Sequence, residues 1–241
     1  MLKRRFRREF SFVQARFSPK GLFGLHFTIG AIVFVGAVWL FGGIAEDLIT
    51  GAPLILIDEL ISEWFRSHAT PRFAVGMQLV SALASTAAVG ILFAIMGCIL
   101  LWKRLWYWLS GLVSVVAGGM LLNVLLKNMF GRARPGWADP SMALVDPGFP
   151  SGHTMMATII YGFMAIYLMP GIASWWWRFL IATITILLVL LVALSRMYLG
   201  AHFLSDVLAA MAAGIAWVAL CLTVVDTLRR HRGGLWSGGR R

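Results

Sequence analysis

The sequence predicts an all-α polytopic membrane protein with six transmembrane helices. Three observations carry that expectation. Only 13% of the 241 residues are charged and 60% are hydrophobic, with a mean hydropathy of +0.83, whereas soluble domains are about a quarter charged. Several windows reach the ~20 apolar residues that take a helix across a hydrocarbon core. The short alternating segments of a β-barrel do not occur in the sequence.

The elements follow in order. Residues 1–22 form a basic segment in which Phe6, Phe10, Val13 and Phe17 recur at near-helical spacing among arginines. That pattern suits a helix lying on an anionic cytoplasmic leaflet. The first span covers residues 23–44. It is too long for the apolar core of a signal peptide and lacks a small-residue cleavage site after it, so it is expected to be retained. Residues 53–68 place Ile57, Leu60, Ile61, Trp64 and Phe65 on one helical face, with Asp58, Glu59, Ser62, Glu63 and Arg66 on the other. This predicts an interfacial helix that anchors the chain or, on a sharper reading, lines a lipid entrance. The second span, 75–101, is separated from the third, 106–126, by the basic pair Lys103-Arg104. The fourth, fifth and sixth cover 154–170, 176–195 and 203–226, and residues 227–241 form a basic tail. No linker divides the spans, so residues 23–226 are expected to be one domain. Cys98 and Cys221 lie inside apolar runs and read as small buried hydrophobes, not as a disulfide or metal site.

The net charge of +11 does not point to nucleic acid, because the basic residues cluster at the chain ends and beside apolar runs. Six spans put both termini on one side, together with fifteen of the 21 lysines and arginines. The positive-inside rule assigns that side to the cytoplasm. The other side keeps Arg66, Arg72, Lys127, Arg132, Arg134 and Arg196. Four of these fall in or beside three polar stretches that the topology brings to one membrane face: residues 127–135, 150–153 and 195–206.

The chemistry of these stretches is specific. Lys127, Arg134 and Arg196 are cations without carboxylates near them in sequence, and arginine's planar fork suits phosphate oxygens. Ser151 and Gly152 precede the fourth span, where helix N–H groups and the dipole favour an anion. Any one of these residues alone reads equally well as a headgroup contact or a helix cap. His202 and Asp206 are four apart, so the carboxylate can take one imidazole proton and leave the other nitrogen as a lone-pair donor. His153 has no such partner and is available as an acid. His26, His68 and His231 read as caps or surface residues. Ser151 as nucleophile is a competing idea, but no carboxylate-oriented base lies near it in sequence.

The order Lys127 to Pro135 (K-x6-RP), Pro150 to His153 (PSGH) and Ser195 to Asp206 (SR-x5-H-x3-D) resembles the type 2 phosphatidic acid phosphatase family. That superfamily also holds bacterial acid phosphatases and vanadium haloperoxidases. All three blocks match in order over residues 127–206, and the six-span layout extends the likeness over most of the chain. The resemblance implies that His202 attacks phosphorus and becomes a phosphohistidine, with Asp206 orienting it. It implies that His153 protonates the leaving oxygen and then activates water. Lys127, Arg134, Ser151, Gly152 and Arg196 would hold the phosphoryl oxygens. No cofactor and no metal are implied. The implied partner is the membrane itself, carrying a phospholipid or polyprenyl pyrophosphate substrate. Candidates are undecaprenyl pyrophosphate, phosphatidylglycerol phosphate, phosphatidate and the phosphate of lipid A. A short chain with compact loops resembles bacterial members, which implies an inner membrane location, and the split of basic residues predicts that the site faces outward. A phosphotransferase would carry the same blocks. A haloperoxidase fits a membrane-embedded chain poorly, and a lipid-binding protein needs no nucleophile.

Overall fold

The computed structural model describes residues 24–51, 53–135, 137 and 147–238. The basic amphipathic segment expected over residues 1–22 lies outside them. The described residues form helices α1 (Leu25–Thr50), α2 (Pro53–His68), α3 (Pro71–Ala82), α4 (Thr86–Trp102), α5 (Trp106–Phe130), α6 (Gly152–Leu168), α7 (Trp175–Tyr198) and α8 (Leu204–Gly238). A short 3-10 turn, Met169–Gly171, follows α6.

Among the described residues, six stretches are long and apolar enough to cross a membrane: 25–50, 71–102, 106–130, 152–171, 175–198 and 204–231. They are the six expected spans with shifted ends. Two differences have physical causes. The second span is not one helix but two, α3 and α4, joined by a turn in which Leu83, Ala84 and Ser85 donate to the carbonyls three residues back. A break at membrane depth frees backbone groups that must find partners. Tyr161 donates its hydroxyl to the Leu83 carbonyl at 2.8 Å, and Ser85 caps α4 by accepting from the Ala88 N–H at 3.2 Å. The sixth helix also runs on through residue 238, so most of the expected tail continues it.

Helices α8 and α6 form the centre of the bundle. α8 packs on α1, α6 and α5, and α6 packs on α5 and α7. Close approach depends on small residues, as usual where lipid removes any hydrophobic drive between helices. A Cβ on Gly119 would come within 2.4 Å of Ile159, and one on Gly118 within 2.4 Å of Trp217. Leu112, Val115, Met155, Ile159, Ile160 and Phe163 are fully buried at this centre, while large apolar residues such as Trp39, Leu79 and Met129 face outward. Cys98, expected to be buried, is on this outward surface, whereas Cys221 is buried.

The connectivity brings the C-terminal ends of α1, α5 and α7 to one face with the N-terminal ends of α3, α6 and α8, and α2 lies across it. All three polar stretches are on that face. The opposite face carries the N-terminal end of α1, where His26 contacts Arg230, which also pairs with Asp226.

Candidate active site

The described part of the site is built from helix ends. Ser151 is the N-cap of α6, with an extended backbone. Its buried hydroxyl oxygen accepts from the Thr154 hydroxyl at 3.0 Å and from the Thr154 N–H at 3.5 Å. Its own N–H donates to the Asp206 carbonyl at 3.1 Å, which ties the start of α6 to the start of α8. The sequence reading offered the N–H groups of this helix start to an anion, and here that of Ser151 is already engaged. The first intrahelical bond runs from Met155 N–H to Ser151 C=O, so Gly152 and His153 supply first-turn N–H groups without an intrahelical acceptor. Gly152 packs closely, and a Cβ there would sit 3.2 Å from Asn123 Oδ1.

His202 precedes α8 instead of lying on it. Its nearness to Asp206 therefore comes from the helix start, not from the helical repeat expected from a spacing of four. Asp206 reaches back to accept the Phe203 N–H at 2.9 Å, the reciprocal half of a capping box. This places Asp206 Oδ2 at 3.4 Å from His202 Nδ1. The two are at ion-pair distance without a hydrogen bond, and His202 Nδ1 is buried with no hydrogen-bond partner. His202 lies in the turn between α7 and α8, and burial holds its imidazole below the ordinary histidine value. Asp206 raises it again, while the charges of Arg196 and Arg134 push it further down.

The cations converge on the histidines. Arg196, His202, Arg134 and Lys127 all lie close enough to His153 to act on its charge. Arg196 also feels Arg134. Arg196 donates from Nη1 to Ser81 Oγ at 2.8 Å, and its Nε is buried with no hydrogen-bond partner. Ser81 sits just before the break in the second span, which gives that break a place in the site. The structure thus brings together Lys127, Arg134, His153, Arg196, His202 and Asp206, with Ser151 and Gly152 at the helix start beside them.

Three contributors were not anticipated. Arg132 donates to Asp206 Oδ1 and to Asp58 Oδ2, each at 2.7 Å, and its guanidinium lies 4.4 Å over the Phe203 ring. Asp58, assigned from the sequence to the polar outer face of α2, is buried at 1% exposure and points into the protein. The amphipathic pattern showed a polar face, but a single acid inside it gives no sign of turning inward. The exposed side of α2 carries Leu56, Leu60 and Trp64 together with Glu59, Glu63 and Arg66. Asn123 is buried within α5 and donates toward the Pro150 carbonyl and Met155 Sδ, each at 3.5 Å. An amide inside an apolar span is a signal the sequence did carry.

Comparison with known proteins supplies the remaining findings. Residues 107–230 match the family model described as the PAP2 superfamily. Phosphatidylglycerophosphatase B of Bacillus subtilis is 31% identical over 136 residues, 54% of this chain and 64% of that protein. A lipid A 1-phosphatase of Rhizobium johnstonii is 35% identical over 121 residues, 46% of this chain and 45% of that protein. The chain therefore spans less than two thirds of the curated relatives it matches. Among solved structures, a transmembrane PAP2 type phosphatidylglycerolphosphate phosphatase from Bacillus subtilis superposes with a TM-score of 0.64 at 26% identity, covering 83% of this chain and 95% of that one. Aquifex aeolicus LpxE superposes with a TM-score of 0.53 at 21% identity, covering 69% and 94%, a likeness of fold.

Proposed function

This chain belongs to the PAP2 superfamily, and from that premise we propose that it is a membrane lipid phosphatase working through a phosphohistidine. The observation that carries the reading is the convergence of Arg134 and Arg196 on two histidines, with Lys127 beside His153 and a carboxylate 3.4 Å behind His202.

The roles follow from charge. His202, kept neutral by burial, attacks phosphorus with Nε2. The bond from phosphorus to the leaving oxygen breaks, and His153 gives that oxygen its proton. Nδ1 of the phosphorylated ring keeps its proton and carries positive charge toward Asp206. Water then attacks the phosphohistidine, His153 takes its proton, and inorganic phosphate leaves. Lys127, Arg134, Arg196, the Ser151 hydroxyl and the Gly152 N–H are assigned to the phosphoryl oxygens, where charge grows in each transition state. The carboxylates at the described site, Asp58 and Asp206, are both held by Arg132. That leaves no acidic cluster for a two-metal mechanism.

The substrate is proposed to be a phosphomonoester or pyrophosphate lipid. Two features support this: the site is built from the ends of membrane-crossing helices, and the curated relatives are named for phosphatidylglycerophosphate and lipid A. Phosphatidylglycerol phosphate, lipid A 1-phosphate, phosphatidate and undecaprenyl pyrophosphate form the test panel. Each is presented in detergent to wild type and to His202→Ala, and released phosphate is measured. Release from one or more by wild type and from none by the variant is expected. A wild type inactive on all four overturns the reading.

A further inference from the structure

We propose that Asp58, on the interfacial helix α2, is a positioning residue that acts through Arg132 to hold the Asp206 carboxylate in its working state against His202. The inference rests on the phosphatase reading above and adds a residue outside the three polar stretches.

The geometry is a buried relay. Arg132 bridges Asp58 Oδ2 and Asp206 Oδ1, each at 2.7 Å. Ser205 closes it: its N–H donates to Asp58 Oδ1 at 2.9 Å, and its hydroxyl bonds both Asp58 Oδ2 and Arg132 Nη1. The side chains of Asp58 and Asp206 are 0% exposed and that of Arg132 is 12% exposed. Arg132 is the shared counter-charge of both buried carboxylates, and removing it would leave both uncompensated.

Docking alone does not call for Asp58. Helix α2 is also held to the rest of the protein by Trp137 Nε1–H donating to Ser62 Oγ at 3.1 Å and by Phe65 against the Tyr198 ring at 5.7 Å. What Asp58 adds is charge. With Asp206 alone, the guanidinium of Arg132 would offset the carboxylate that faces His202. With Asp58 present, the cluster of two carboxylates and one guanidinium keeps a net negative charge. That charge is needed when His202 turns cationic on attack, because Arg196 and Arg134 act on the same ring and His153 lies across from it. Asp206 also keeps its orientation, with Oδ1 on Arg132 and Oδ2 on the Phe203 N–H beside His202 Nδ1.

The test uses the full chain in detergent, with steady-state kinetics, competitive inhibition by inorganic phosphate and thermal unfolding on each variant. Asp58→Asn keeps the shape and removes the charge. Its expected result is a kcat lower by roughly 10–100-fold, the scale on which outer partners of a catalytic group act. KM and the inhibition constant for phosphate should stay within about threefold, because the phosphate ligands are untouched. Asp58→Glu should recover part of kcat. Ser205→Ala, which keeps all three charges, should lose several-fold in kcat only, and it carries the test if Asp58→Asn does not fold. In an Asp206→Asn background, Asp58→Asn should cost little more. An unchanged kcat overturns the inference. So does a parallel loss of phosphate affinity and melting temperature, which marks a purely structural tether, and so does full additivity with Asp206→Asn. These outcomes leave the phosphatase reading intact where wild type is active and His202→Ala is not. A wild type that releases no phosphate removes both.

Discussion

A nucleophile that forms a bond to phosphorus has no substitute, so His202→Ala should lower kcat about a thousandfold or more while the protein still folds. His153→Ala should cost as much with a poor leaving group and less with a good one such as p-nitrophenol, since a good leaving group needs less protonation. Equal losses on both kinds of substrate would remove His153 as the acid. The protonation state of His202 can be read directly. Burial depresses it below the ordinary 6.5, Asp206 raises it, and Arg196 and Arg134 lower it. The neutral, attacking form is therefore present at neutral pH and is lost only as pH falls through that depressed value. In the window below 6.5 the unfolded chain takes this proton before the folded one, so the fold loses stability there as pH drops. A carbon-13 histidine titration, assigned by difference with His202→Asn, should show the ring titrating below 6.5; titration at or above it contradicts the buried environment. Metal dependence is decided by the same side chains. Asp58 and Asp206 both bond Arg132, and among the described residues no group of three histidine, cysteine or acidic side chains forms a cage. Activity should survive EDTA; abolition by EDTA with recovery on adding magnesium would show that a cation shares the chemistry.

At the scale of elements, the turn between α7 and α8 sets where His202 stands. Leu199, Gly200 and Ala201 each donate a backbone N–H to a carbonyl of the last turn of α7. Gly200 has φ +64, and a Cβ there would come within 2.6 Å of the Trp137 ring. Gly200→Ala thus meets left-handed strain of about 1–2 kcal/mol and overpacking of about 1–3 kcal/mol. It should lower the melting temperature by several degrees and reduce activity, because Trp137 is itself fixed to α2 through Ser62. An unchanged melting temperature would mean that the ring gives way freely. The long apolar helices were legible in the sequence because a span must satisfy its own backbone, and length with low charge reports that. The three polar stretches were legible because arginine, lysine and histidine are costly at a membrane face unless used. The rest was not legible, for reasons of distance and direction. Asp58 and Arg132 are 74 positions apart, and nothing in either segment names the other. The break between α3 and α4 falls in an ordinary apolar run, and its carbonyl is satisfied by Tyr161, which is 78 positions away from Leu83. The capping turn that joins His202 to Asp206 was read as helix because a spacing of four fits both.

At the scale of the whole molecule the open variable is which side of the membrane the site faces. The fold puts the C-terminal end of α1, all of α2 and the N-terminal ends of α6 and α8 on one face. The charge balance proposes that this face is external. Among the described residues, Arg66, Arg72, Lys127, Arg132, Arg134 and Arg196 are the basic residues on it, and the six-span reading of the sequence assigns the other fifteen of 21 to the side of the termini. The exceptions are largely explained by local chemistry. Arg132 is neutralised by Asp58 and Asp206, and Arg66 pairs with Glu63 at 3.0 Å. Lys127, Arg134 and Arg196 surround His153. Only the exposed Arg72 then weighs against the assignment, and one charge does not reverse a bias of this size. In a background with Cys98 and Cys221 replaced by alanine, Glu63→Cys on α2 and Arg240→Cys near the C-terminus should label differently in intact cells. A membrane-impermeant thiol reagent should reach the first and not the second until the cells are permeabilised. Labelling of Arg240→Cys alone would invert the protein, and with it the external assignment of the site.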